Sequence, residues 1–148
     1  MSHESFMEMA LQQAEIASQK GEVPIGAVLV IENEIVAQDH NRREELNDPT
    51  AHAEILVLKQ ASFKKKSWRL SGAILYVTLE PCPMCAGALV QARVQHLVYG
   101  AADPKAGAVH SLFNIPTDNR LNHYVEVNEG IMKEECASIL KNFFQSRR

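Results

Sequence analysis

The chain has 148 residues, 46% of them apolar and 22% charged, the profile of a single globular domain over residues 1–148 with a hydrophobic core of its own. A formal net charge of −3 and a pI near 6.1 argue against nucleic-acid binding through bulk charge, and no apolar run approaches the length of a membrane span. The start, Met1-Ser2-His3-Glu4, lacks a basic segment followed by an apolar one, and three cysteines suit a reducing compartment, so no signal peptide and a cytoplasmic location are expected.

Residues Glu4 to Lys20 carry Phe6, Met9, Ala10, Ala14 and Ala17 at helical spacing, and Gly21 reads as the stop. Ile25 to Ile31 is an apolar strand. Glu32-Asn33-Glu34 turns it into a hairpin partner, Ile35 to His40. Asn41 to Asp48 reads as a polar loop. Asp48 is a good cap and Pro49 a good first residue for a helix whose body runs from Ala51 to Lys64. Ala73 to Thr78 is a buried strand that leads into Pro81-Cys82-Pro83, and Pro83 to Ala92 is a helix rich in small residues. His96 to Ala101 is another strand. Asp103 to Asp118, punctuated by Gly and Pro, reads as loop with short helical turns. Val125 to Val127 is a short last strand, and Ile131 to Phe144 an amphipathic helix with Cys136 in the core. The order α-β-β-α-β-α-β-β-α gives an α/β layered fold around a mixed sheet.

The chemistry sits in His52-Ala53-Glu54 and Pro81-Cys82-Pro83-Met84-Cys85. Zn²⁺ favours nitrogen and sulfur donors in a tetrahedron, and a catalytic zinc keeps one position open for water. His52, Cys82 and Cys85 supply three donors, and Glu54 is left to move the proton of that water. Cys82 and Cys85 are one helical turn apart, and Pro81 and Pro83 suit a helix start, where the helix dipole favours thiolates. On a regular helix His52 and Glu54 would diverge by about 200°. They therefore read as ligand and base, not as two ligands. Two thiolates and a neutral imidazole leave the centre formally uncharged, so its water needs a base. Cys-x-x-Cys alone would also suit a redox pair. A structural zinc would need a fourth side chain such as His40, His96, His110, His123 or Cys136 to close it, and the two motifs occurring together, in order, each at a helix start, favour the catalytic reading.

The pattern H-x-E followed by P-C-x-x-C resembles the zinc nucleobase deaminases. The likeness extends over nearly the whole chain. Val23-Pro24-Ile25-Gly26-Ala27, Asn41, Asp48 to Ile55, Thr78 to Ala88, Tyr99-Gly100-Ala101, Asp103-Pro104-Lys105, Leu121-Asn122-His123 and Phe143-Phe144 resemble bacterial tRNA-specific adenosine deaminases. The resemblance implies a cytidine deaminase-like three-layer αβα sandwich with a five-stranded mixed sheet. It implies a homodimer with one Zn²⁺ per subunit, a hydrolase that converts adenosine to inosine at the wobble position of a tRNA anticodon. An anticodon-loop base is already weakly stacked, so turning it into a pocket costs little. His52, Cys82 and Cys85 would hold the metal, with Glu54 as proton shuttle. Asn41 and backbone groups near Ala53 would hold adenine, although Asn41 also suits a loop-stabilising turn. Asp103 and Lys105 would face neighbouring nucleotides, although Asp103-Pro104 is also an ordinary turn. Phe143 and Phe144 read as core or dimer contacts, one of them available to line the RNA groove. His123 suits either RNA or structure.

His110 departs from the family, which has a small residue there, at the edge of the RNA site. The basic clusters Arg42-Arg43, Lys64-Lys65-Lys66 with Arg69, and Arg147-Arg148 read as solvated surface or as a local patch for a small shaped RNA. The rival within the same chemistry is a deaminase of free nucleobases or nucleosides of the guanine or cytosine type. A non-catalytic zinc-stabilised RNA-binding module would leave Glu54 unexplained.

Overall fold

The computed structural model describes residues 1–147. Its elements in chain order are α1 (His3–Gln19), β1 (Gly26–Ile31), β2 (Glu34–His40), α2 (Arg43–Leu46), α3 (Ala53–Lys65), β3 (Ile74–Leu79), α4 (Pro83–Gln91), β4 (His96–Ala101), β5 (Glu126–Asn128) and α5 (Lys133–Gln145). The strands form one five-stranded sheet in the order β2-β1-β3-β4-β5. β1 is antiparallel to β2 and β3, whereas β3, β4 and β5 run parallel. The sheet is mixed, as expected.

Alternation along the strands feeds two cores. Ala27, Leu29, Leu75, Val77, Leu97 and Tyr99 point towards α3 and α4. Val28, Val30, Tyr76 and Val98 point towards α1 and α5. Both faces are covered, so the strands read as continuous apolar runs and the molecule has three layers, α, β and α. The β1–β2 hairpin turns through Glu32 and Asn33, both at positive φ (53° and 64°), as a two-residue turn matched to strand twist requires.

α1 lies directly against β1. A Cβ on Gly26 would come within 2.6 Å of the Ala14 amide nitrogen and would overlap the Ala10 carbonyl oxygen. Backbone on both sides leaves little room to yield. Gly26→Ala is therefore expected to destabilise the fold by about 2–3 kcal/mol, the upper range for an overpacked core. Urea unfolding checks this, and a midpoint equal to wild type would contradict it.

Most boundaries lie within a residue of the sequence expectations, and a few differ by more. The loop over 41–48 contains the short helix α2. The buried Glu22 accepts hydrogen bonds from the amides of Glu44 (3.1 Å) and Glu45 (2.6 Å), so a distant carboxylate nucleates this turn. α3 starts at Ala53, not near Pro49. The Asp48 carboxylate accepts from the Thr50 amide and hydroxyl, both at 2.8 Å, and so closes a separate turn. His52 stays extended (φ −73°, ψ 151°) as the N-cap. β5 is one residue later than expected, and α5 begins at Lys133 after Met132 at φ 54°. Residues 103–118 form turns but no helix.

Candidate active site

Two helix N-termini converge at one end of the sheet. α3 is capped by His52. α4 is capped by Cys82 and has Pro83 at its first position, where a missing N–H costs nothing. Cys85 follows one turn into α4 and is fully buried. The His52 Nδ1 atom lies 3.6 Å from the Cys82 sulfur and 3.4 Å from the Cys85 sulfur. A tetrahedral zinc with metal–sulfur bonds of about 2.3 Å and metal–nitrogen bonds of about 2.0–2.1 Å has sulfur–nitrogen edges of about 3.5 Å. The three donors fit such an ion. They are the only group of three or more metal-ligating side chains among the described residues, with all three ligand atoms within 4.8 Å of one another. None of His40, His96, His110, His123 or Cys136 joins them, so among the described residues no fourth side chain closes the group.

The charge pattern suits a cation. Contact with Cys85 and with His52 lowers the Cys82 thiol to about 4. The same contact, and then burial, pushes Cys85 up. The hydrogen bond to Cys82 raises His52. A divalent ion held there would need both sulfurs as thiolates and the imidazole neutral.

Glu54 is the second residue of α3 and only 4% exposed. Because His52 is an extended cap, the two side chains can serve the same site without sharing a helical face. Burial raises the Glu54 carboxyl to about 7, where it can both accept and release a proton near neutrality.

Beside this group is a cavity of about 440 Å³. Its walls include Asn41, His52, Ala53, Glu54, Asp103 and Lys105, all residues singled out from the sequence. Asn41 is buried. Its amide donates to the Val23 carbonyl (3.3 Å) and its oxygen accepts from the Arg43 amide (3.2 Å). It therefore lines the cavity and also braces the loop. Asp103 accepts from the amides of Lys105 (3.1 Å) and Ala106 (3.2 Å), making the turn that its Asp-Pro sequence suggested.

A profile of the MafB19-like deaminase family matches residues 1–148. A tRNA-specific adenosine deaminase of Bacillus subtilis (strain 168) is 52% identical over 145 residues, 98% of this chain and 90% of that protein. The chain belongs to this deaminase family. A structure solved in a study of A-to-I editing by tRNA:A34 deaminases at the wobble position of transfer RNA superposes on this deaminase with a TM-score of 0.89. It is 49% identical, over 92% of this chain and 99% of that one. A guanine deaminase from Bacillus subtilis shares 29% identity at a TM-score of 0.68, over 100% of this chain and 94% of that one.

The deaminase pocket has one further charged wall that motif reasoning did not assign to it, Arg43, and an aromatic one that it had offered, from the Phe143-Phe144 pair. Arg43, which read as solvated surface or a local RNA patch, is the first residue of α2 and lines the cavity while staying exposed to solvent. Phe144 lines it too and is half exposed, while its neighbour Phe143 is core. His123 is structural, bonded to the Val94 carbonyl at 2.7 Å. The Lys64 ammonium donates to the Val36 carbonyl (2.8 Å) at the end of α3 remote from the cavity. Arg148, the last residue of the terminal basic pair, lies outside the described residues.

Proposed function

We propose that residues 1–148 act as one deaminase domain that hydrolyses adenosine to inosine, with release of ammonia, at the wobble position of a tRNA anticodon. The observation that carries the reading is a buried carboxylate, Glu54, beside a His-Cys-Cys group that no fourth side chain joins among the described residues. His52, Cys82 and Cys85 would hold one Zn²⁺ per subunit. When bound there, zinc would supply the Lewis acidity that lowers the pKa of a water.

The remaining steps belong to the protein. Glu54 takes the proton of the attacking water as oxygen adds to carbon six of adenine. It returns that proton to the ring nitrogen and carries the next one to the departing amine. Asn41 and the first-turn backbone at Ala53, where helical N–H groups lack internal partners, hold the base. Asp103 and Lys105 meet the flanking nucleotides of the anticodon stem-loop. The choice of tRNA over a free base is supported by identities of 52% and 49% to the tRNA-acting relatives against 29% to the guanine deaminase.

The homodimer is supported by an apolar groove between α3 and α4, lined by Ile55, Leu58, Phe63, Trp68, Ala88 and Ala92. Phe63 is 87% and Trp68 60% exposed in the single chain, more than an isolated surface would need to show. A cytoplasmic location is supported by three free cysteines, two of them committed to the metal. No helix among the described residues is long and apolar enough to cross a membrane.

Incubation with an anticodon stem-loop, free adenosine, cytidine and guanine separates the readings. Product is expected from the stem-loop alone. Product only from a free base or nucleoside selects the rival.

A further inference from the structure

We propose that Glu80 is a positioning residue for the substrate rim: its buried carboxylate is the template around which residues 102–111 fold, and so sets where Asp103 and Lys105 meet the substrate. This rests on the tRNA-deaminase reading above.

Glu80 is 2% exposed and follows β3 directly, one residue before the Pro81-Cys82 turn. One carboxylate oxygen accepts from the Asp103 amide (3.0 Å) and the Ser111 hydroxyl. The other accepts from the amides of Val109 (3.1 Å), His110 (2.9 Å) and Ser111 (3.0 Å). Four backbone donors and one hydroxyl thus surround one anion, and among the described residues no cationic side chain is hydrogen-bonded to it. A loop arranged in this way has its shape dictated by the carboxylate, because without it the buried Val109 amide would be unpaired and the part-buried amides of Asp103, His110 and Ser111 would lose their shared acceptor.

Two further contacts point the same way. The Ala108 amide donates to the Pro81 carbonyl at 2.8 Å, which ties the loop to the cysteine turn. A Cβ on Gly107 would overlap the Glu80 carboxylate, so the chain passes against the anion where only glycine fits. The His110 side chain turns outward to the Tyr99 hydroxyl (2.9 Å) and Glu129 (3.0 Å). Only its backbone serves the rim, which is why a larger residue is accommodated there.

The consequence is specific. In Glu80→Gln, three amides can still share the amide oxygen, and the Ser111 hydroxyl can reverse to accept. The Asp103 amide is left facing an NH₂ group. The rim should therefore loosen at Asp103, while His52, Cys82, Cys85 and Glu54 keep their places.

The test uses the full-length, zinc-loaded protein, with steady-state kinetics on an anticodon stem-loop and amide hydrogen exchange over residues 103–111. Glu80→Gln is expected to raise KM about ten-fold or more, with kcat changed by less than about three-fold, as loss of one buried hydrogen bond implies. Exchange over 103–111 should quicken while zinc content stays that of wild type. A KM within two-fold of wild type, or a fall in kcat as large as the rise in KM, overturns the proposal. Should Glu80→Gln fail to fold, Ser111→Ala removes one bond only. It is then expected to raise KM about three-fold, and an unchanged KM overturns the proposal. If wild type leaves the stem-loop untouched, the substrate reading fails separately. Unchanged exchange over 103–111 in Glu80→Gln would still overturn the positioning role.

Discussion

Glu54→Ala is expected to keep its zinc and lose about 10³-fold or more in kcat, the scale of a lost general acid–base in a buried site. Glu54 lines the cavity, is 4% exposed, and is not part of the His52–Cys82–Cys85 group. Its removal takes away no metal donor. Alanine at the second position of α3 is a good helix former, so the fold should survive. Metal content by atomic emission, thermal unfolding and single-turnover kinetics would be measured on one preparation. Activity within ten-fold of wild type would show that another group moves the proton. Loss of zinc would show that Glu54 is a ligand after all.

Removing a ligand should act differently. Cys85→Ala is expected to lose both zinc and turnover, and to unfold at lower temperature than wild type. Cys85 is fully buried at 3.4 Å from the His52 nitrogen, so no other described side chain can take its place. Two donors do not make the closed face that a three-ligand catalytic zinc needs. A strong chelator applied to wild type should reproduce the loss of activity. Added zinc should restore wild type but not Cys85→Ala. A Cys85→Ala protein that still carries one tightly held zinc per chain would show that the ligand set is wrong.

The parts of the site that were legible in the sequence are those held by local spacing. His52 and Glu54 are two residues apart, and Cys82 and Cys85 are one turn apart behind a proline. Each pair needs only the start of a helix to take its position, and each helix start was visible from Asp48-Pro49 and Pro81-Cys82-Pro83 to within a few residues. The cores were legible for a similar reason, since strands covered on both faces must be apolar throughout. What escaped depends on partners far along the chain. Glu22 builds α2 from more than twenty residues away, and α2 in turn carries Arg43 to the cavity wall. Glu80 gathers amides 23 to 31 residues downstream. Neither carboxylate has a local sequence signature, because its partners are backbone amides, which every residue but proline possesses. The late start of α3 has a local cause that could have been read otherwise: Asp48 can cap a helix or close a turn onto Thr50, and it closes the turn.

The proposed activity is conversion of the wobble adenosine of a tRNA anticodon to inosine, with Glu54 beside a zinc that His52, Cys82 and Cys85 would hold. The most direct measurement is to treat an unmodified tRNA with an adenosine at the wobble position with the zinc-loaded protein and to map inosine by reverse transcription, where it reads as guanosine. The account predicts conversion at that one position, absent with Glu54→Ala and absent when the wobble adenosine is replaced by guanosine. Inosine scattered over other loop positions, or an unedited tRNA from a preparation that deaminates free guanine or cytidine, would contradict it.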